Sequence, residues 1–272
     1  AGLNRYDTAV KVSQAHYGDG RSSNVVITNG LNFPDALAAI SLAKQLNAPV
    51  LFASVDTITN NTKAEIKRLG ARNAYIIGGT SAVNSSVASA VRSTTGSVTR
   101  IYGANRMETA IEVAKKTMSY YKGDTAILVT GSDFPDAVSI SPYSGKNAFP
   151  IFFAMGGTMD AATKNFINQN FSKVLIVGGT SAVSSTTESS LRSLGKTVNR
   201  IYGSNRYDTS EKIATTYFPS VERVYMATGA DFADALSGGA MGGKNCRFLA
   251  LKKNHLRSIE KMRNQKIQYK NN

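Results

Sequence analysis

Short, unbroken apolar runs alternate with longer stretches of mixed polarity through most of this chain. Residues 24–30 (N-V-V-I-T-N-G), 48–54 (A-P-V-L-F-A-S), 74–79 (A-Y-I-I-G-G) and 98–103 (V-T-R-I-Y-G) read as strands. Between them lie segments of helical length: Arg5 to Tyr17, Pro34 to Leu46, a polar segment near 61–69 and a serine-rich one near 84–93. Short apolar runs separated by such helices specify βαβ units, and therefore a parallel sheet. Strands covered by helices on both faces have no polar side, which accounts for their continuous apolar character. The predicted fold class is α/β, with parallel sheets of Rossmann or flavodoxin type.

The same pattern then returns. N-R-Y-D-T-A at 4–9 recurs as N-R-M-E-T-A at 105–110 and N-R-Y-D-T-S at 205–210. N-F-P-D-A-L at 32–37 recurs as D-F-P-D-A-V at 133–138 and D-F-A-D-A-L at 231–236. G-G-T-S-A-V occurs at 78–83 and 178–183, and R-I-Y-G at 100–103 and 200–203. The blocks keep their order, and Arg5, Arg106 and Arg206 are spaced by 101 and then 100 residues. A period of this length is too long for a solenoid unit and long enough for a small domain. The expected organisation is three tandem modules, 1–100, 101–200 and 201–272. The third is incomplete: no third G-G-T-S-A-V occurs, and Ala233 stands where Pro135 stands in the second copy.

Each repeated block has a plain structural reading beside a functional one. Asn4, Asn105 and Asn205 each stand three residues ahead of an acid (Asp7, Glu108, Asp208). Asn32, Asp133 and Asp231 stand likewise before Asp35, Asp136 and Asp234. Both spacings resemble helix capping boxes, each cap contributing about 1 kcal/mol. The arginines fit that reading less well. A cation in a first helical turn is opposed by the helix dipole, so Arg5, Arg106 and Arg206 call for compensation. That compensation is either an ion pair, with the F-P-D-A aspartates as natural partners, or an anionic ligand. G-G-T-S-A-V follows a strand and precedes a helix. It is neither G-x-G-x-x-G nor a Walker A loop, and reads as a tight turn.

Composition narrows the chemistry. The 272 residues include one cysteine, Cys246, and two histidines, His16 and His255, which read as surface residues. An intramolecular disulfide and a cysteine metal cluster are excluded, and no cofactor is expected. No H-E-x-x-H, G-x-S-x-G or C-x-x-C occurs, and a set of carboxylates copied two or three times over suits a multivalent binder better than an enzyme. The net charge is +14, of which residues 241–272 supply +8 through nine basic side chains against Glu260. The basic excess calls for anionic partners. Because the charge is concentrated in the tail and no aromatic-basic motif accompanies it, nucleic acid ranks last among them. No apolar run is long enough for membrane insertion.

Taken in order, N-R-Y-D-T-A, G-L-N-F-P-D-A-L, A-P-V-L-F, I-I-G-G-T-S-A-V and R-I-Y-G resemble the clostridial type 2 cell-wall-binding repeat family, down to about residue 251. The resemblance implies three parallel α/β modules around a pseudo-threefold axis on a Gram-positive, extracellular cell-surface protein. It implies non-covalent anchoring to an anionic cell-wall polysaccharide of the teichoic-acid kind, with a fused effector region such as an amidase, or surface-layer proteins, as further partners. On this reading the chain itself is not an enzyme. Arg5, Arg106 and Arg206 would hold phosphate or carboxylate groups. Asp35, Asp136 and Asp234 would orient them or accept sugar hydroxyls, beside Asn4, Asn105 and Asn205. A nucleotide- or phosphosugar-using α/β enzyme is the alternative. If the modules close a ring, the incomplete third copy is expected to weaken it or to leave an apolar edge exposed.

Overall fold

A computed structural model of the chain describes residues 2–220, 224–229, 231–244 and 248–252. Cys246, His255 and residues 253–272 lie outside them. The first copy contains α1 (Arg5–His16), β1 (Asn24–Asn29), α2 (Phe33–Gln45), β2 (Val50–Ala53), α3 (Asn60–Leu69), β3 (Asn73–Ile77), α4 (Ser85–Thr95) and β4 (Ser97–Ile101). The second repeats the series as α5 (Arg106–Met118), β5 (Thr125–Thr130), α6 (Pro135–Asn147), β6 (Ile151–Ala154), α7 (Ala161–Asn170), β7 (Lys173–Val177), α8 (Ser185–Ser193) and β8 (Thr197–Ile201). The third contributes α9 (Arg206–Tyr217), β9 (Val224–Thr228), α10 (Ala233–Lys244) and β10 (Phe248–Lys252).

The two complete copies form four-stranded parallel sheets of the same order, β2-β1-β3-β4 and β6-β5-β7-β8. β10 and β9 form a two-stranded parallel sheet, the counterpart of β2-β1 and β6-β5. The strands β1, β2, β5 and β6 are apolar on both faces because helices cover both, and Phe52, Phe152 and Phe153 are among the largest fully buried side chains. In this order the chain reverses direction across the sheet between β1 and β3, and between β5 and β7. Ligands of open α/β sheets gather beyond the carboxyl ends of the strands at such a switch point.

The modules meet through helices. α2, α6 and α10, the helices of the F-P-D-A blocks, pack on one another at a common axis. Small side chains allow close approach: Gly239 of α10 lies so close to Ser141 of α6 that a Cβ there would collide with it, and Ser41 of α2 meets Thr117 of α5 at 3.3 Å. At the end of this bundle Phe33, Phe134 and Phe232 form a triangle, their ring centroids 5.8–6.3 Å apart and their planes inclined by about 60°. Around the axis each N-R helix wedges onto the preceding module: α5 on α2, α9 on α6, and α1 on α10. These contacts run head to tail and close.

The third module therefore completes the ring. α1 reaches α10, and His16 joins the contact, its Nε2 lying 3.0 Å from the Tyr225 hydroxyl with the rings 5.7 Å apart. His16 is half-buried at a module boundary and not simply a surface residue. The expected apolar edge does show in β9, which among the described residues pairs only with β10. Met226 of β9 is 39% exposed, whereas its counterparts Ile27 and Leu128 are fully buried.

Replacing Phe134 by alanine removes one side of the aromatic triangle and part of the contact among all three modules. We expect a loss of about 2–4 kcal/mol, the range for large-to-small changes in a packed cluster. Urea denaturation should show it as a lowered midpoint, with Phe134→Leu losing less.

Candidate ligand-binding clefts between modules

The N-R helices begin with closely similar local bonds. The side-chain oxygen of Asn4 accepts from the Asp7 N–H, and Asn105 and Asn205 accept from the N–H groups of Glu108 and Asp208 at 3.0 and 3.2 Å. The acids reach back one residue further than a capping box requires: Glu108 accepts from the Ala104 N–H and Asp208 from the Ser204 N–H. The threonine that follows accepts from a glycine N–H, pairing Thr8 with Gly2, Thr109 with Gly103 and Thr209 with Gly203 at 3.0–3.1 Å. Four of the repeated letters thus serve to start a helix and to fix the chain entering it.

The arginine does something else. Arg5, Arg106 and Arg206 each donate Nη1 to the carbonyl after the first strand of their own module, on Gly30, Gly131 and Gly229, at 2.6, 2.6 and 3.0 Å. The guanidinium then extends toward the F-P-D-A loop of the preceding module. Arg5 Nη2 meets Asp231 at 3.0 Å and lies 5.5 Å from the Phe232 ring centroid. Arg206 Nη2 lies 3.6 Å from Asp133 and its guanidinium 5.8 Å from the Phe134 centroid. The paired acids are those that open the block, three residues before the aspartates expected as partners. They also explain a departure noted in the sequence: Ala233 keeps an N–H, which donates to Asp231 at 3.2 Å, as a proline there would not.

The F-P-D-A aspartates do not act as capping-box acids. Among the described residues, Asn32 makes no side-chain cap bond to α2, and the residue at the α6 cap position, Phe134, makes none either. Asp35 and Asp136 instead lie against Gly78 and Gly178, the first glycines of the two G-G-T-S-A-V turns. Both glycines have φ near +110°, and a Cβ at Gly78 would fall 2.6 Å from Asp35 Oδ2. The arginine of R-I-Y-G holds the turn from the other side: Arg100 donates to the carbonyls of Gly78 and Gly79, and Arg200 to those of Gly178 and Gly179, at 2.8 and 3.1 Å. Burial raises the Asp35 carboxyl above its ordinary value, with Arg106 pulling it down. Burial also raises Asp136, opposed by a hydrogen bond from Thr209, reinforced by Asp133 and opposed again by Arg206. Asp234 is exposed.

Between the second and third modules these parts enclose an open cleft of about 420 Å³. Its walls are Thr130, Asp133 and Asp136 from one side, Ser181 and Ala182 from the turn, and Asn205 and Arg206 from the next module. It sits beyond the carboxyl ends of β5 and β7, at the switch point. The sequence repeat gives the first and second modules the matching set Asn29, Asn32, Asp35, Ser81, Ala82, Asn105 and Arg106. Among the described residues no group of His, Cys, Asp or Glu is placed to hold a metal ion, and no helix is long and apolar enough to cross a membrane.

The profile of the family described as cell wall binding domain 2 (CWB2) matches residues 1–88, 100–188 and 200–269. The chain belongs to the cell wall binding domain 2 family. It is similar to two proteins of Bacillus subtilis (strain 168). It is 36% identical to the N-acetylmuramoyl-L-alanine amidase LytC over 92% of this chain and 49% of the relative. It is 34% identical to an amidase enhancer over 96% of this chain and 35% of that protein. The chain thus spans half or less of the length of these relatives. Among solved structures it resembles Cwp6 from Clostridium difficile, with a TM-score of 0.87 and 29% identity over 93% of this chain and 41% of that one. Cwp8 from the same organism gives a TM-score of 0.86 and 29% identity over 96% of this chain and 46% of that one. The three family matches, the repeated sheets and these likenesses agree on a tandem cell-wall-binding architecture, which implies a cell-wall or surface location.

Within this family frame the structure groups the candidate residues as two complete sets, Asp35 with Asn105 and Arg106, and Asp136 with Asn205 and Arg206. At the remaining junction Arg5 meets Asp231, and Asp234 is exposed. Sequence reading took Asp133 and Asp231 for caps and gave the block's phenylalanines no role. The signal was present, since Phe33, Phe134 and Phe232 recur in every copy although their helices already have enough apolar residues.

Two tests follow. Gly178→Ala should cost about 3 kcal/mol or more, because a positive φ and contact with Asp136 act together, whereas Gly195→Ala, with positive φ in open space, should cost only about 1 kcal/mol. For Asp136, a folded pKa above the unfolded one means stability falls as pH rises from the ordinary value of 3.8 through the raised one. Asp136→Asn keeps an acceptor for Thr209 and removes that loss. Its melting temperature should exceed that of the unaltered chain at pH 7, and the gap should narrow toward pH 3.

Proposed function

We propose that the chain anchors a surface protein non-covalently to the Gram-positive cell wall by holding an anionic secondary wall polymer in the clefts between its modules, 1–100, 101–200 and 201–272. The observation that carries this reading is the recurrence of one half-buried guanidinium at each module junction of a cell-wall-binding fold. Arg5, Arg106 and Arg206 keep donors beyond the one bonded to their own strand, suited to phosphate or carboxylate oxygens. Asp35, Asp136 and Asp234 supply acceptors for sugar hydroxyls on the facing wall. Asn4, Asn105 and Asn205 commit their carbonyls to the helix caps and offer their amide groups.

Several shallow sites on one rigid ring suit a repeating polymer, since the second contact forms at high effective concentration once the first is made. The chain's own role is binding. Catalysis belongs to an effector region, as the name of LytC suggests for that relative, and surface-layer proteins are further neighbours. The basic excess of the chain favours the same class of partner.

A sedimentation assay on purified walls tests this. The protein should pellet with intact walls, be released as salt rises from about 0.05 to 0.5 M, and fail to pellet with walls stripped of their anionic polymer. Equal retention by stripped walls would contradict the proposal.

A further inference from the structure

The three junctions are built alike but are not charged alike. At the junction of the third and first modules Arg5 faces Asp231, and at that of the second and third Arg206 faces Asp133. The matching position at the junction of the first and second modules is Asn32, an exposed amide. Among the described residues Arg106 has no carboxylate within ion-pairing distance, and no ring contact joins it to Phe33 as Arg5 and Arg206 are joined to Phe232 and Phe134. Among the described residues its hydrogen bond is to the Gly131 carbonyl of its own module. The F-P-D-A aspartates Asp35, Asp136 and Asp234, and the first-turn acids Glu108, Asp208 and Asp7 of the N-R helices, recur at all three junctions. The first junction therefore lacks the acid that faces the arginine at each of the others.

A bound anion at the second or third junction must displace Asp133 or Asp231 from its arginine, or share that arginine with it. At the first junction it meets a guanidinium whose outward donors, among the described residues, have no bonded acceptor to give up. Desolvation has in part been paid for already, since Arg106 is half-buried with its stem packed over Gly131. The asparagine also keeps an N–H donor and a carbonyl acceptor where the other copies present a negative charge. We infer that Asn32 makes the junction between the first and second modules the principal anion-accepting cleft, with Arg106 as its phosphate- or carboxylate-binding group, and that Asp133 and Asp231 hold the other two junctions chiefly as structural clamps.

This rests on the wall-polymer reading, and the test separates the two. The probes are purified Gram-positive walls and soluble poly(glycerol phosphate), at low salt. Asn32→Asp installs the acid that the other copies carry. It should weaken binding about five- to tenfold, as loss of one unit of charge at a partly exposed site predicts, while the melting temperature stays level or rises through the new ion pair. Asp133→Asn, the converse change, should tighten binding by creating a second unpaired guanidinium. Arg106→Gln should cost more affinity than Arg206→Gln, and Arg206→Gln more melting temperature than Arg106→Gln. Undiminished affinity of folded Asn32→Asp, or equal losses from the two arginine changes, would overturn the inference while leaving polymer binding intact. If the unaltered chain binds neither probe, the polymer reading itself fails.

Discussion

The ring depends on a guanidinium that crosses a module boundary. Each of Arg5, Arg106 and Arg206 is tied to a carbonyl of its own first strand and reaches toward the loop of the module before it. Placing a cation in the first turn of a helix is unfavourable in isolation. It is tolerated here because the side chain leaves its own helix end and meets a carbonyl and, at two junctions, an aromatic face and a carboxylate. The small helices at the axis and the phenylalanine triangle then supply burial that the arginines orient.

One geometry holds the modules together and shapes the clefts between them. The cleft forms because the modules are docked, and the residues that dock them also line it. Gly78 and Gly178 let an aspartate settle against a turn that Arg100 and Arg200 hold from behind. Exposed ion pairs of this kind each contribute little. Two of them around a closed ring, reinforced by apolar contact, orient neighbouring modules.

Most of the fold was legible in the sequence because hydrophobic periodicity is a local property. Strand and helix positions in the first copy follow from runs such as A-P-V-L-F-A-S and from the asparagine caps at Asn4, Asn105 and Asn205. What the sequence left open were contacts between copies. Asp133 and Asp231 look like helix caps when read along the chain, and only the docking of the next module turns them toward Arg206 and Arg5. His16 similarly reads as a lone surface residue until Tyr225, more than two hundred positions away, is brought to 3.0 Å. The difference between Asn32 and its two acidic counterparts was visible as a letter. Its meaning was not, because that depends on which arginine faces it.

Closure of the ring sets the order in which the protein can become whole. α1 precedes its outer partner α10 by more than two hundred residues, and finds it only after the chain between them has been laid down. During synthesis its apolar flank waits beside a nearly finished first unit, while the second and third condense in turn on the units before them. The last event is a long-range closure whose entropy is settled once, late, and for all three parts together.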